Sequence, residues 1–159
     1  MPHSKGFTLI ELMVTVAVLA IVITVAAPSF SNLLADNRAS ALANELQGAL
    51  QLARSEAIKR RQNVTVCRSN AAQDDCADGT NWANGWLVEL ANGDILKVWD
   101  PASGATITGP TAGISFRSNG LSSSAEQWSV TPPNCSGQQR RTLSVNTTGS
   151  TSSTKGSCQ

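Results

Sequence analysis

The chain has no tyrosine, a single histidine (His3) and only 14% charged residues. Each shortage closes off a class of function. One histidine three residues from the start leaves no imidazole base for a nucleophilic Ser or Cys, and none for a metal centre elsewhere. Basic and acidic residues number 12 and 11, and they balance at 11 each when Lys5, in the short polar start of the chain, is set aside. That neutrality is not the field of a polyanion binder. The four cysteines, Cys67, Cys76, Cys135 and Cys158, form no C-x-x-C pair, which argues against structural zinc. No phosphate-cradling glycine loop and no metal-ligand cluster appears, so the expectation is a protein without catalytic residues or cofactors.

What is present is one long hydrophobic run. Residues 1–6 are polar and basic, and the run from Phe7 to Ala27 carries a single charge, Glu11. A helix of about 21 residues is roughly 32 Å long, enough for a hydrocarbon core of about 30 Å. Lys5 on its N-terminal flank predicts that this end stays cytoplasmic and the remainder is exported. Ala26-Ala27 is compatible with an ordinary secretory cleavage site, but that reading leaves Glu11 unexplained. A charged group near the centre of a membrane helix costs about 2.5–3.5 kcal/mol, and less near an end. A carboxylate kept there needs a partner.

The heptapeptide Gly6-Phe7-Thr8-Leu9-Ile10-Glu11-Leu12 resembles the N-terminal signal of type IV pilins and type II secretion pseudopilins. The resemblance implies that a prepilin peptidase of the inner membrane cleaves after Gly6. It further implies that Phe7 becomes an N-methylated terminus. Glu11 then has an assembly role, neutralising an N-terminal amine of its own or a neighbouring subunit. Pro28 stands where this family often kinks its helix; otherwise it simply ends the membrane segment.

Residues 30–61 keep a helical period. Leu42, Leu46, Ala49, Leu50, Ala53 and Ala57 form one apolar stripe, with Asn44, Glu45, Gln47, Gln51, Arg54 and Glu56 between them. Lys59-Arg60-Arg61 reads as cations closing a helix C-terminus. Strands are expected at 63–68, 85–90, 94–100, 113–117, 127–131 and 141–146, with Asn92-Gly93 as a hairpin turn. The acidic stretch 71–84 does not have EF-hand spacing and reads as a tethered surface loop. The four tryptophans are assigned to the core. Thr147–Gln159, almost entirely Ser, Thr and Gly, has no composition for a core.

Export into an oxidising compartment predicts two disulfides. Of the three possible connectivities the sequential one, Cys67–Cys76 and Cys135–Cys158, is favoured because each pair brackets a turn-rich stretch. The second pair resembles the C-terminal disulfide loop of many pilins.

The organisation expected is therefore a leader (1–6), a transmembrane and polymerisation helix (7–28), its amphipathic continuation (29–61) and a β-rich domain (62–159). The fold class is α+β, type IV pilin-like, with one long helix packed on antiparallel sheet. Leu52–Lys59, the Val64-Thr65-Val66-Cys67 strand, Gly85-Trp86 and Gly113–Arg117 with Gly120 narrow the resemblance to the GspH/FimT family. It implies an inner-membrane protein that assembles with other minor pilins and the major pilin. FimU-type minor pilins of a pilus tip are preferred, GspH-type pseudopilins of type II secretion being the alternative. FimT-type members bind DNA through a basic C-terminal motif. The candidates for that here are Arg140-Arg141 and a lone Lys155, and so few cations in a neutral chain argue against nucleic acid.

Overall fold

The computed structural model describes residues 6–158, with the helical backbone alone over 25–29. The expected leader, apart from Gly6, falls outside the described residues. The chain divides into two compact units, residues 1–34 and 35–159, and helix α1 (Leu9–Arg60) supplies backbone to both.

In the first unit every described side chain is exposed, including Phe7 at 79% and Ile10 at 67%. The apolar residues face all directions rather than one, a distribution that suits burial on every side. Among the described residues no helix is long and apolar enough to cross a membrane. The span expected over 7–28 runs into residues 25–28, whose side chains are outside the description. Pro28 does not end the helix, which is continuous to Arg60.

In the second unit the amphipathic stripe docks on sheet. Ala39, Ala43, Leu46, Ala49, Leu50, Ala53 and Ala57 are all buried. Five of these seven residues are alanine, which keeps the helix face flat, so sheet side chains can approach its backbone closely. The antiparallel sheet expected under the helix is built as two four-stranded antiparallel sheets. The first runs in the order β3 (Ile95–Trp99), β2 (Trp86–Leu90), β1 (Val64–Arg68), β5 (Ile114–Phe116). The second runs β4 (Thr106–Thr108), β6 (Glu126–Thr131), β7 (Arg140–Val145), β8 (Thr151–Gly156). Val64, Val66, Val88, Ile114 and Phe116 from the first sheet and Ile107, Trp128, Val130, Leu143 and Val145 from the second join the helix in one core.

Pairing follows the period-2 alternation. Val66 opposite Val88 faces that core, whereas Cys67 opposite Leu87 is buried on the other face of the first sheet. Trp82 and Trp128 meet edge to face with centroids 5.5 Å apart, and Trp86 stacks on the half-buried Trp99 at 6.2 Å. The helix closes with Arg61 in the left-handed region (φ 56°), and the β2–β3 turn uses Gly93 at φ 87°.

Candidate functional site

The N-terminal motif folds in a way its residues dictate. Thr8 precedes the first helical residue, and Glu11 stands three places after it. The Thr8 hydroxyl accepts from the Glu11 backbone N–H at 3.3 Å, and the Thr8 carbonyl accepts from Leu12 N–H at 3.2 Å. Thr8 is thus the N-cap of α1, and Glu11 occupies the third helical position, where a carboxylate lies within reach of the positive helix end. Its own side chain is exposed, and among the described residues it has no ion-pair partner. The other polar side chains nearby are satisfied locally. Thr15 donates to the Leu12 carbonyl at 2.8 Å and Thr24 to the Ile21 carbonyl at 2.7 Å. That leaves Glu11 as the one group in the first turns whose chemistry points outward to something else.

Gly6 sits in a different situation. A Cβ built on it would meet nothing within 4 Å, and its backbone is not left-handed. The fold of the chain does not require glycine there.

In the second unit three polar links tie α1 to the sheets. Arg54 donates to the carbonyls of Gly120 and Thr148, both at 3.1 Å, and so fastens two turns to one helix position. Asn146 organises the second of these turns by accepting from Thr148 and Ser150 N–H. Farther up the helix, Arg141 reaches Asp36 Oδ1 at 2.6 Å and Ser40 Oγ at 2.8 Å. Lys155 from β8 lies 3.5 Å from the other Asp36 oxygen. These links went unseen in the sequence because the partners are 66 or more residues apart and no local pattern marks them.

The structure does not bring Arg140 and Arg141 together as a basic patch. They are successive residues of β7 and lie on opposite faces. Arg141 is only 6% exposed and paired with Asp36, so it presents no charge to a nucleic acid backbone. The arginine pair considered for DNA is therefore corrected to one inward and one outward residue.

Both disulfides are formed, Cys67 with Cys76 and Cys135 with Cys158, with Cα atoms 5.6 Å and 5.5 Å apart. The first closes the acidic loop at the end of β1. The second fastens the segment after β8 to the turn before β7, where Cys158 N–H also donates to the Gly137 carbonyl at 3.0 Å. Cys67, Cys76 and Glu89 cluster within 4.8 Å, but both sulfurs are committed to the disulfide, which leaves one carboxylate donor. That carboxyl is pushed above its ordinary value by burial, with Asp75 adding repulsion. Glu56 is held below its ordinary value, first by the hydrogen bond from Arg60, against partial burial and with help from Lys59. This trio is the helix C-terminal cation cluster, and it serves the helix end rather than a ligand.

Comparison with known proteins assigns both parts of the chain. Residues 1–27 match the family model of the prokaryotic N-terminal methylation motif. Residues 42–149 match the model of the type II transport protein GspH, more than half of the chain. The chain belongs to the GspH family. A fimbrial protein of Pseudomonas aeruginosa is 24% identical over 130 residues, 76% of this chain and 84% of the relative. Among solved structures, the chain is similar to the type IV minor pilin FimU of Pseudomonas aeruginosa, at 25% identity and a TM-score of 0.59, over 77% of this chain and 96% of that one. Its fold is also that of the minor pseudopilin EpsH from the type 2 secretion system of Vibrio cholerae, at 14% identity and a TM-score of 0.51, over 74% and 97%. The α+β fold expected from the sequence is the pilin-like fold of these structures.

Proposed function

We propose that this GspH-family chain is a minor pilin, made as a membrane-anchored prepilin and incorporated near the tip of a type IV pilus, where it helps to prime assembly and joins the tip to the major pilin. The observation that carries the reading is the pairing of two features. A helix apolar on all sides and exposed throughout 9–24 is attached to a domain with a complete core of its own. Such a helix is stable only when something covers it: first a bilayer, then the helices of neighbouring subunits.

Within that segment the residues take distinct parts. Gly6 has no structural duty, which supports a role as the residue before the peptidase cut. Phe7, 79% exposed, becomes the methylated terminus. Glu11 faces outward one turn inside the helix and offers its carboxylate to the amine created by cleavage, on its own or the next subunit. A charge pair formed in an apolar filament core is strong because the alternative is an unpaired buried charge. Pro28 is the place for a bend or local unwinding of the helix. The role is structural, with no reaction to catalyse.

The higher identity to FimU, 25% against 14% for the pseudopilin EpsH, supports the pilus rather than a secretion pseudopilus. The test is Glu11→Ala expressed in cells that make the filament. Processing by the peptidase is expected to continue, read as the mass of the mature chain, while recovery of the subunit in sheared filaments falls to background. Undiminished incorporation of Glu11→Ala would sink the assignment. Recovery instead in a type II secretion complex, with none in pili, would move the chain to the pseudopilin reading.

A further inference from the structure

Glu89 lies on β2, on the face of the first sheet turned away from the core. It stands opposite Thr65, and Cys67, two places along β1, shares that face. The carboxyl is half-buried, and among the described residues it makes no hydrogen bond and no ion pair. The charge that acts on it is that of Asp75, which has the same sign. A carboxylate kept where burial and a like charge both oppose it lacks a cation. Nothing in the assembly reading uses it.

Two sulfurs stand where they can share a cation with it. The Sγ atoms of Cys67 and Cys76 and a Glu89 carboxylate oxygen all lie within 4.8 Å of one another. In the oxidised chain the sulfurs are bonded to each other. The chain is translated with thiols, however, and the bond forms only when the pair gives up two electrons and two protons, the electrons passing to an oxidant of the disulfide class. Until then other bonds hold the two cysteines side by side. Cys76 forms an antiparallel bridge with Ser69, flanked by Asn70 N–H donating to the Asp75 carbonyl at 2.9 Å and Ala77 N–H to the Arg68 carbonyl at 2.8 Å. The Arg68 guanidinium adds bonds to the carbonyls of Ala77 and Asp78, at 3.3 Å and 2.6 Å. Cys67 itself belongs to β1, an inner strand paired on both sides. None of these bonds requires the disulfide, so the Cα separation of 5.6 Å does not depend on it.

We propose that the reduced chain binds one Zn²⁺ between Cys67 Sγ, Cys76 Sγ and the Glu89 carboxylate, with water in the fourth position. Tetrahedral ligands at zinc distances stand about 3.5–3.8 Å from one another, a spacing that rotation of the two cysteine side chains provides. Two thiolates with one carboxylate select zinc over magnesium or calcium. Binding displaces the thiol protons and supplies the cation that the Glu89 site lacks. Metal and disulfide use the same sulfurs, so the two states exclude each other. Oxidation of the pair releases Zn²⁺ and leaves Glu89 without a partner, as it stands in this structure.

The experiment uses the full chain in detergent micelles, reduced with a water-soluble phosphine under inert gas and freed of metal. Zn²⁺ is titrated in competition with a chromophoric chelator, and Co²⁺ in parallel for its visible spectrum. One equivalent is expected to bind, with the absorption of a tetrahedral thiolate cobalt site. Zn²⁺ should also raise the melting temperature of the reduced chain and leave that of the oxidised chain unchanged. Cys67→Ser with Cys76→Ser should abolish binding, whereas Cys135→Ser with Cys158→Ser should retain it. Glu89→Gln relieves the burial and repulsion of the carboxylate, so weaker binding in that variant does not come from misfolding. Loss of an outer partner of a metal site costs about tenfold or more, and loss of the Glu89 donor should cost at least as much. Unaltered affinity in Glu89→Gln, zinc bound alike by the oxidised chain, or binding that survives Cys67→Ser with Cys76→Ser overturns the proposal.

Discussion

Arg141 on β7 donates to Asp36 on α1 at 2.6 Å, across 105 residues of sequence. Ser40 completes the arrangement: its hydroxyl accepts from Arg141 Nε at 3.0 Å and donates to the Asp36 carbonyl at 2.8 Å. The guanidinium is buried while the carboxylate is partly open to water. The two partners are therefore not equivalent when removed. Asp36→Ala strands a buried cation and is expected to cost roughly 2–4 kcal/mol. Arg141→Met fills the same space with an apolar chain and leaves Asp36 to water and Lys155, costing about 1 kcal/mol or less. Thermal or urea unfolding followed by circular dichroism gives the order, and an Asp36→Ala variant as stable as Arg141→Met would refute it.

The two disulfides predict unequal losses. Closing 23 residues restricts the unfolded chain more than closing nine. Cys135→Ser with Cys158→Ser is expected to cost about 3 kcal/mol, slightly more than Cys67→Ser with Cys76→Ser. Hydrogen exchange locates the damage: amides of β8 lose protection in the first variant, and those of β1 and the loop after it in the second.

Two glutamates give opposite pH signatures. Glu56 has a depressed folded value, so its stabilisation is present above the unfolded carboxylate range and is lost as pH falls through the folded value. Glu56→Gln should lower the melting temperature at pH 7 and converge with the unaltered chain in acid. Glu89 has a raised folded value, so the folded state holds its proton longer and stability falls as pH rises through that range. Glu89→Gln should raise the melting temperature at pH 7, with the gain vanishing below about pH 4. Melting curves at pH 7 and pH 3.5 test both, and equal slopes for the two variants would contradict the assignment.

Gly6→Val and Gly113→Ala are expected to fail at different stages. Gly6→Val changes no packing, so the folded domain should be made normally while the leader stays uncleaved, read by mass. Gly113 has φ 75°, and a Cβ there would lie 2.3 Å from the Val66 carbonyl oxygen. Gly113→Ala should therefore leave the leader signal intact and destabilise the pairing of β1 with β5, by about 1–3 kcal/mol.

The parts of the fold legible in sequence were those written in burial. The change from all-round apolar to a stripe gave α1 almost to its end, and Asn92-Gly93 gave the β2–β3 hairpin. Strands β4 and β8 were not read. Thr106-Ile107-Thr108 has one buried residue, and Thr151–Gly156 has none. Both are edge strands held by ladder hydrogen bonds, which leave no hydrophobic period to detect. The tail that lacked the composition for a core does lack one, and it forms a strand all the same. The N-terminal site was readable because its residues are consecutive. The Asp36–Arg141 link was not, since it exists only after the second sheet and the helix have met.

The bond between Cys135 and Cys158 also decides how the domain bears load. Tension arriving from the C-terminal side of Cys158 passes through sulfur to Cys135, ahead of β7, and bypasses the β7–β8 ladder. Strand β8, the least buried in the domain, is then spared the pull that would otherwise peel it first. The resisting element becomes the inner strand β6, which leads into Cys135 and is flanked by β4 on one side and β7 on the other.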